Sequence, residues 1–179
     1  MRNISDKDIT ADELRRMLSY DQDTGVFTWL ETRTHNAKAG DIAGANHCQG
    51  YRSISIGNKR YLAHRLAWLY MTGSWPEALI DHINEDRSDN RFCNLRLATK
   101  SENGCNKGPR RDSSSGIKNV MWLKSQGGWY VQLKIHGVKY FYGYFKDLEL
   151  AALVAEEARE KIHGVFANHK SREVLTCEA

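Results

Sequence analysis

The sequence has no cysteine pair at Cys-x-x-Cys spacing, only two prolines, and no apolar run near the ~20 residues that cross a bilayer. Each absence removes a class of protein. Four scattered cysteines (Cys48, Cys93, Cys105 and Cys177) in 179 residues are too sparse for a disulfide scaffold and lack zinc-site spacing, so passive thiols and no structural zinc are expected. The missing apolar run argues against a membrane-spanning helix, and the first eight residues lack the apolar stretch of a secretory signal. A soluble cytoplasmic protein is expected, with no membrane partner. At ~150 residues per domain the chain forms one domain or two small ones, too short for a large barrel. Hydrophobic residues at 41% and charged residues at 27% are ordinary globular usage, which excludes wholesale disorder and a fibrous chain.

What is present is unevenly distributed charge. The net +4 divides into 10 basic and 8 acidic residues over 1–75, 7 and 7 over 76–112, and 9 and 7 over 113–179. Within the last block, residues 113–146 hold Lys118, Lys124, Lys134, Lys139 and Lys146 and no acid. Lysines interleaved with Trp122, Trp129, Tyr130, Tyr140 and Phe141 suit a phosphate backbone, because Lys displaces condensed counterions and rings pack on sugars and bases.

Local patterns divide the chain further. Thr10-Ala-Asp-Glu13 has capping-box spacing and predicts a helix over about 10–19. Val26–Trp29 reads as a strand, 31–50 as loop, and Tyr51–Ile56 with Tyr61–Ala63 as a hairpin around Gly57-Asn58. His64 to Thr72 reads as a helix stopped by Gly73. Leu79–Ile83 and Leu95–Ala98 read as strands flanking a polar loop, and Thr99-Lys-Ser-Glu102 starts another helix. A basic, small-residue linker follows at 108–116, with the domain boundary there. Beyond it, Lys118–Leu123, Trp129–Ile135 and Val138–Phe145 predict a three-stranded meander. Trp129, Val131, Leu133 and Ile135 should face the core, leaving Tyr130, Gln132 and Lys134 open. Asp147 caps a predicted helix over about 148–163 with Leu150, Ala151, Val154, Ala155, Ala158 and Ile162 inward and Glu156, Glu157, Arg159 and Glu160 outward.

Residues 80–103 carry the chemistry. Hydrolysing a phosphodiester needs a base for water, a divalent cation to neutralise developing charge, and oxygen ligands for that cation. His82 supplies a base. Asp81 and the amide oxygen of Asn103 are hard ligands suited to Mg²⁺, favoured here over Mn²⁺. Adjacent strand residues point to opposite faces, so Asp81 and His82 can share a phosphate only at a bulge or strand end. The acids at 81, 86 and 89 lack EF-hand spacing and its Gly, so the loop reads as solvated. His64 and Arg65 fit either the site or the packing of their helix, while His35, His47, His136, His163 and His169 show no ligand spacing.

His82, Asn94 and Asn103, in the context Leu62-Ala63-His64-Arg65-Leu66, Ile80-Asp81-His82-Ile83-Asn84, Asn94-Leu95-Arg96 and Ser101-Glu102-Asn103, resemble the HNH (His-Me finger) nucleases of the phage and intron-encoded branch. The resemblance implies a ββα-metal core over about 78–107 within an α+β nuclease domain of residues 1–107. His82 would be the general base, Asp81 and Asn103 the metal ligands, and Asn94 the residue that ties the loop. A second resemblance covers about 113–168: Gly116-Ile117-Lys118-Asn119-Val120, Trp129, Gly143-Tyr144-Phe145 and Leu150-Ala151-Ala152 resemble the Apetala/ethylene-response-factor DNA-binding domain. It implies a domain over 117–170, before a tail at 171–179, whose three-stranded sheet is backed by one helix and meets duplex DNA through Lys118, Gln132, Lys134, Lys139 and Phe141. Lys124, Arg110 and Arg111 complete the expected DNA-binding set. Lys where an Arg is usual reads guanine less specifically.

The sequence therefore points to a metal-dependent DNA endonuclease, a monomer or weak homodimer, located in the host cytoplasm if phage-encoded. A non-catalytic DNA-binding regulator with a relic HNH unit is the rival reading, and an RNA-directed nuclease a third.

Overall fold

A computed structural model of the chain describes residues 9–47, 49–110, 112–135 and 137–168. Arg111, expected to meet DNA, lies outside the described residues, as do His136, His169 and the tail at 171–179. The chain divides into two compact units, Met1–Thr99 and Lys100–Ala179.

The first unit opens with α1 (Ala11–Met17), whose capping box forms as the sequence indicates: Glu13 donates its N–H to Thr10 Oγ1 and its carboxylate accepts from Thr10 N at 2.8 Å. The helix is shorter than expected. Leu18 turns extended, and β1 (Leu18–Asp21) pairs antiparallel with β2 (Val26–Trp29), Tyr20 opposite Phe27. Within 31–50 the chain forms β3 (Ala45–Asn46), which joins β4 (Arg52–Ile56) and β5 (Lys59–Leu62) in a sheet of order β3-β4-β5. Gly57-Asn58 makes the expected two-residue turn. Then α2 (Ala63–Thr72) ends at Gly73, whose left-handed φ of 77° lets its N–H cap the Leu69 carbonyl. Two strands follow, β6 (Leu79–His82) and β7 (Leu95–Ala98), antiparallel and separated by a loop ending in a 3₁₀ turn at Phe92–Asn94. Leu14, Leu18, Phe27, Ile54, Leu66 and Leu69 form the fully buried centre, and Ile80 and Leu95 anchor β6 and β7 to it. Each such side chain contributes about 1.5–3 kcal/mol of burial.

The second unit contains α3 (Lys100–Asn106), the meander β8 (Val120–Leu123), β9 (Gly128–Ile135) and β10 (Val138–Phe145), and α4 (Leu148–His163). Asp147 caps α4 by accepting the Leu150 N–H at 2.8 Å, and Gly164 ends it. Val120, Val131 and Leu133 pack on Ala151, Ala155 and Ala158, whose small side chains let the helix approach the sheet. Trp129 packs beside this core, whereas Trp122 stands half out of it at 45% exposure.

Three expectations change here. Arg159, expected outward, is buried, and its Nη1 donates to the Lys118 carbonyl at 2.7 Å. Leu150 is exposed, and Leu148 joins the core instead. Lys118 precedes the sheet rather than lying in it. Its ammonium donates to the carbonyls of Cys105 and Lys107, satisfying orphan acceptors at the end of α3. With Asn168 Nδ2 also donating to the Asn106 carbonyl, α3 groups with the second unit, so the division falls at Thr99/Lys100, ahead of the expected linker. Among the described residues, no helix is long and apolar enough to cross a membrane.

Candidate active site

Residues 79–98 place the site. In the β6–β7 register Asp81 stands opposite Arg96 and His82 opposite Leu95. Asp81 is buried, and its Oδ2 accepts from Arg96 Nε at 2.9 Å and Nη2 at 2.8 Å. His82 is the last residue of β6. Immediately beyond it Glu85 adopts a left-handed φ of 65° and donates its N–H to the His82 carbonyl, turning the chain away. His82 thus stands at a strand end, with Asp81 one residue inside the ladder.

The His82 side chain is 5% exposed. Its Nε2 lies 3.5 Å from Asn90 Oδ1, and the His64 ring meets it edge-on with centroids 5.0 Å apart. Tyr51 lies near both imidazoles, 5.2 Å from His64 and 6.0 Å from His82. Burial lowers the His82 pKa, opposed by the Asn90 contact and by Asp81, Asp89 and Asp86. His64 is pushed further, to about 3, by burial, by His82 and by Arg65. Both rings are thus neutral at pH 7. A neutral imidazole can accept a proton, which is what a general base must do.

The loop after His82 is held by its own amides. Asn94 Oδ1 accepts the Asn84 N–H at 3.0 Å, while Asn94 Nδ2 donates to Asn84 Oδ1 at 3.0 Å and to the Asp89 carbonyl at 2.9 Å. Its backbone carbonyl takes the Ile83 N–H at 2.9 Å. Asn94 therefore ties the loop to the strand end. Arg91 grips Asp89 through two nitrogens at 2.8 and 2.6 Å, holding that carboxyl down to about 2. The loop is less solvated than its composition suggests: Asn90 and Asn94 are both buried.

Asn103 lies in α3 and belongs to the second unit. There, the sheet register puts Lys139 opposite Lys134 and Phe141 opposite Gln132, so these four residues expected at DNA share the open face. Tyr130 and Tyr144 continue that face, with Met121 beside Tyr130. Lys124 is exposed in the β8–β9 turn, Arg110 is exposed and paired with Asp112 at 3.2 Å, and Lys118 is not on the face. Sequence reasoning missed Asn90, Tyr51 and the part His64 plays; local composition does not distinguish Asn90 from its polar neighbours.

A family model described as HNH endonuclease matches residues 61–105, the span from β5 into α3 that contains every group just described around His82 except Tyr51. Protein 3.8 of Escherichia phage T7 is 30% identical over 108 residues, which is 60% of this chain and 88% of that protein. The chain belongs to the HNH endonuclease family. A solved structure titled "DNA binding and cleavage by the HNH homing endonuclease I-HmuI" is 20% identical, covers 81% of this chain and 80% of its own, and superposes with a TM-score of 0.38. The HNH span supplies Asp81 and His82 from β6 and Asn94 from the loop that follows it, while its last residues lie in α3. Among the described residues, no three His, Cys, Asp or Glu side chains group as a metal cage.

Proposed function

We propose that this HNH protein is a metal-dependent DNA endonuclease. The observation that carries the reading is His82 itself: a neutral, buried imidazole at a strand end, next to the buried Asp81 carboxylate and on a loop locked by Asn94. His82 accepts a proton from water at a ring nitrogen as the water oxygen bonds to phosphorus. The bond from phosphorus to the 3′ oxygen breaks, and that oxygen takes its proton from solvent. Asn94 keeps the loop closed on the strand end, and Arg96 holds the Asp81 carboxylate in place.

The donor chemistry fits a divalent cation such as Mg²⁺, because Asp81 and Asn103 offer carboxylate and amide oxygens and no thiolate. Asp81 would give it a carboxylate oxygen, and it would neutralise negative charge on the phosphate and the leaving oxygen.

The DNA would be held by the open face of β9 and β10. Gln132, Lys134, Lys139 and Phe141 share that face, and Lys134 directly opposes Lys139 with no acid across the pair. Like charges so placed repel, and a phosphate relieves the repulsion. The likeness to the ethylene-response-factor domain supports duplex DNA as the occupant, and the phage relative supports the cytoplasm of a host cell as the setting.

The deciding experiment is cleavage of supercoiled plasmid with Mg²⁺ and with EDTA. Metal-dependent nicking that disappears in His82→Ala is expected. Absence of any metal-dependent cut would favour a DNA-binding regulator instead.

A further inference from the structure

Asn90 is among the most enclosed side chains of the first unit, at 1% exposure, and it lies in a segment otherwise made of loop. Both ends of its amide are used. Nδ2 donates to the Ser88 carbonyl at 2.9 Å, which fixes the amide orientation and turns Oδ1 toward His82 Nε2 at 3.5 Å. An amide oxygen can only accept. The imidazole facing it must present Nε2–H, and the lone pair of the neutral ring then sits on Nδ1.

Asn90 is in turn held from outside the loop. The Tyr20 hydroxyl, on β1, donates to the Asn90 carbonyl at 2.7 Å, and the Phe92 N–H reaches the Gln22 carbonyl in the β1–β2 turn. Gly25 closes the same turn against the backbone. A Cβ built there would lie 2.4 Å from Arg91 N and 2.5 Å from the Asn90 carbonyl carbon, so no side chain fits. The β1–β2 hairpin is thus a brace against residues 90–92, with Tyr20 standing 70 residues from Asn90 along the chain.

We infer that Asn90, braced by Tyr20 and Gly25, is a positioning residue that sets the His82 tautomer and directs Nδ1 toward the attacking water. The inference rests on the reading of His82 as the general base. It assigns the N-terminal hairpin a task in that reaction, carried out through Asn90. A 3.5 Å separation is long for a hydrogen bond, as catalytic hydrogen bonds without substrate often are, and closure on DNA would shorten it.

The test reads the tautomer as well as the rate. In ¹⁵N spectra of the full chain at pH 8, the resonances that vanish in His82→Ala identify His82, and wild type should show a protonated Nε2 and an unprotonated Nδ1. Asn90→Ala should mix the two tautomers and lower kcat for plasmid nicking by about 10–100-fold, the usual cost of removing an outer partner, with KM for DNA unchanged. Tyr20→Phe keeps its ring against Phe27 and Tyr70 and removes only the hydroxyl, so it should fold and shift tautomer and kcat in the same direction by less. If Asn90→Ala does not fold, Tyr20→Phe and the wild-type spectrum still decide. Nδ1–H in wild type, or unchanged tautomer and kcat in the variants, overturns the inference and leaves the nuclease reading intact. If His82→Ala cuts normally, the nuclease reading fails instead.

Discussion

In the first unit the side chains proposed to carry or support the chemistry are almost out of reach of water: Asp81, His82, His64, Asn90 and Asn94 are all buried, and amides and a guanidinium hold most of them. In the second unit the side chains proposed to meet DNA stand on an open sheet face, and Phe141 is 52% exposed. The contrast suits the two proposed tasks. A base must keep one protonation state and one orientation, which burial and hydrogen bonds provide. A surface that grips a polyanion needs its charge in solvent, where it can exchange counterions for phosphates. Substitutions in the first unit should therefore act on rate or folding, and substitutions on the sheet face should act on affinity alone.

The sharpest test is His82→Ala. Its nicking rate should fall by ~10²–10⁴ with DNA affinity retained, and an equal loss of both would break the division of labour. Asn94→Ala comes next, because it leaves the Asn84 N–H without its acceptor. A loss of about 1–3 kcal/mol in urea unfolding is expected, together with slower cutting.

The pH dependence of stability should separate the units too. His64 has its pKa depressed by burial to about 3, so between about pH 6.5 and 3 the unfolded chain binds a proton that the folded chain refuses. Its contribution is complete above about pH 6.5 and drains away as pH falls, by up to about 1.4 kcal/mol per pH unit. Unfolding curves of wild type and His64→Gln should differ in slope over that range; identical slopes would show that His64 is not held neutral.

Much of the fold is legible in the sequence because its signals are local. The capping box at Thr10 and Glu13, the Gly57-Asn58 turn, the Gly73 stop, the strand at Val138–Phe145 and the Asp147 cap all appear where their residues indicate. The misses share a cause of the opposite kind. Leu18–Asp21 follows α1 with no breaker between them, and only pairing with β2 makes it a strand. Arg159 looks like a surface residue until its partner, the Lys118 carbonyl, is known, and Asn90 is one amide in a run of polar residues until His82 and Tyr20 are placed around it. In each case an interaction beyond the local pattern decides, and the periodicity of the segment does not contain it.

Two smaller effects complete the comparison. Gly25→Ala, forced into a left-handed φ of 72° and against the 90–91 backbone, should cost more than about 1 kcal/mol of stability by thermal or urea unfolding. Lys134→Ala with Lys139→Ala should leave stability within about 0.5 kcal/mol. The pair should flatten the log–log salt dependence of DNA binding by about 2, one for each phosphate no longer neutralised. A salt slope that does not move would remove both lysines from the DNA interface.

The helix Lys100–Asn106 has a consequence for anyone dividing this protein. All of it but Asn106 falls within the HNH match, which runs to residue 105, while the carbonyls of Cys105, Asn106 and Lys107 at its end accept from Lys118 and Asn168 of the sheet-bearing unit. A fragment stopping at Thr99 loses the end of the nuclease motif. One beginning at Gly108 strips the partners from Lys118. A cut on either side of this helix therefore removes part of the HNH match or part of the hydrogen bonding of the second unit.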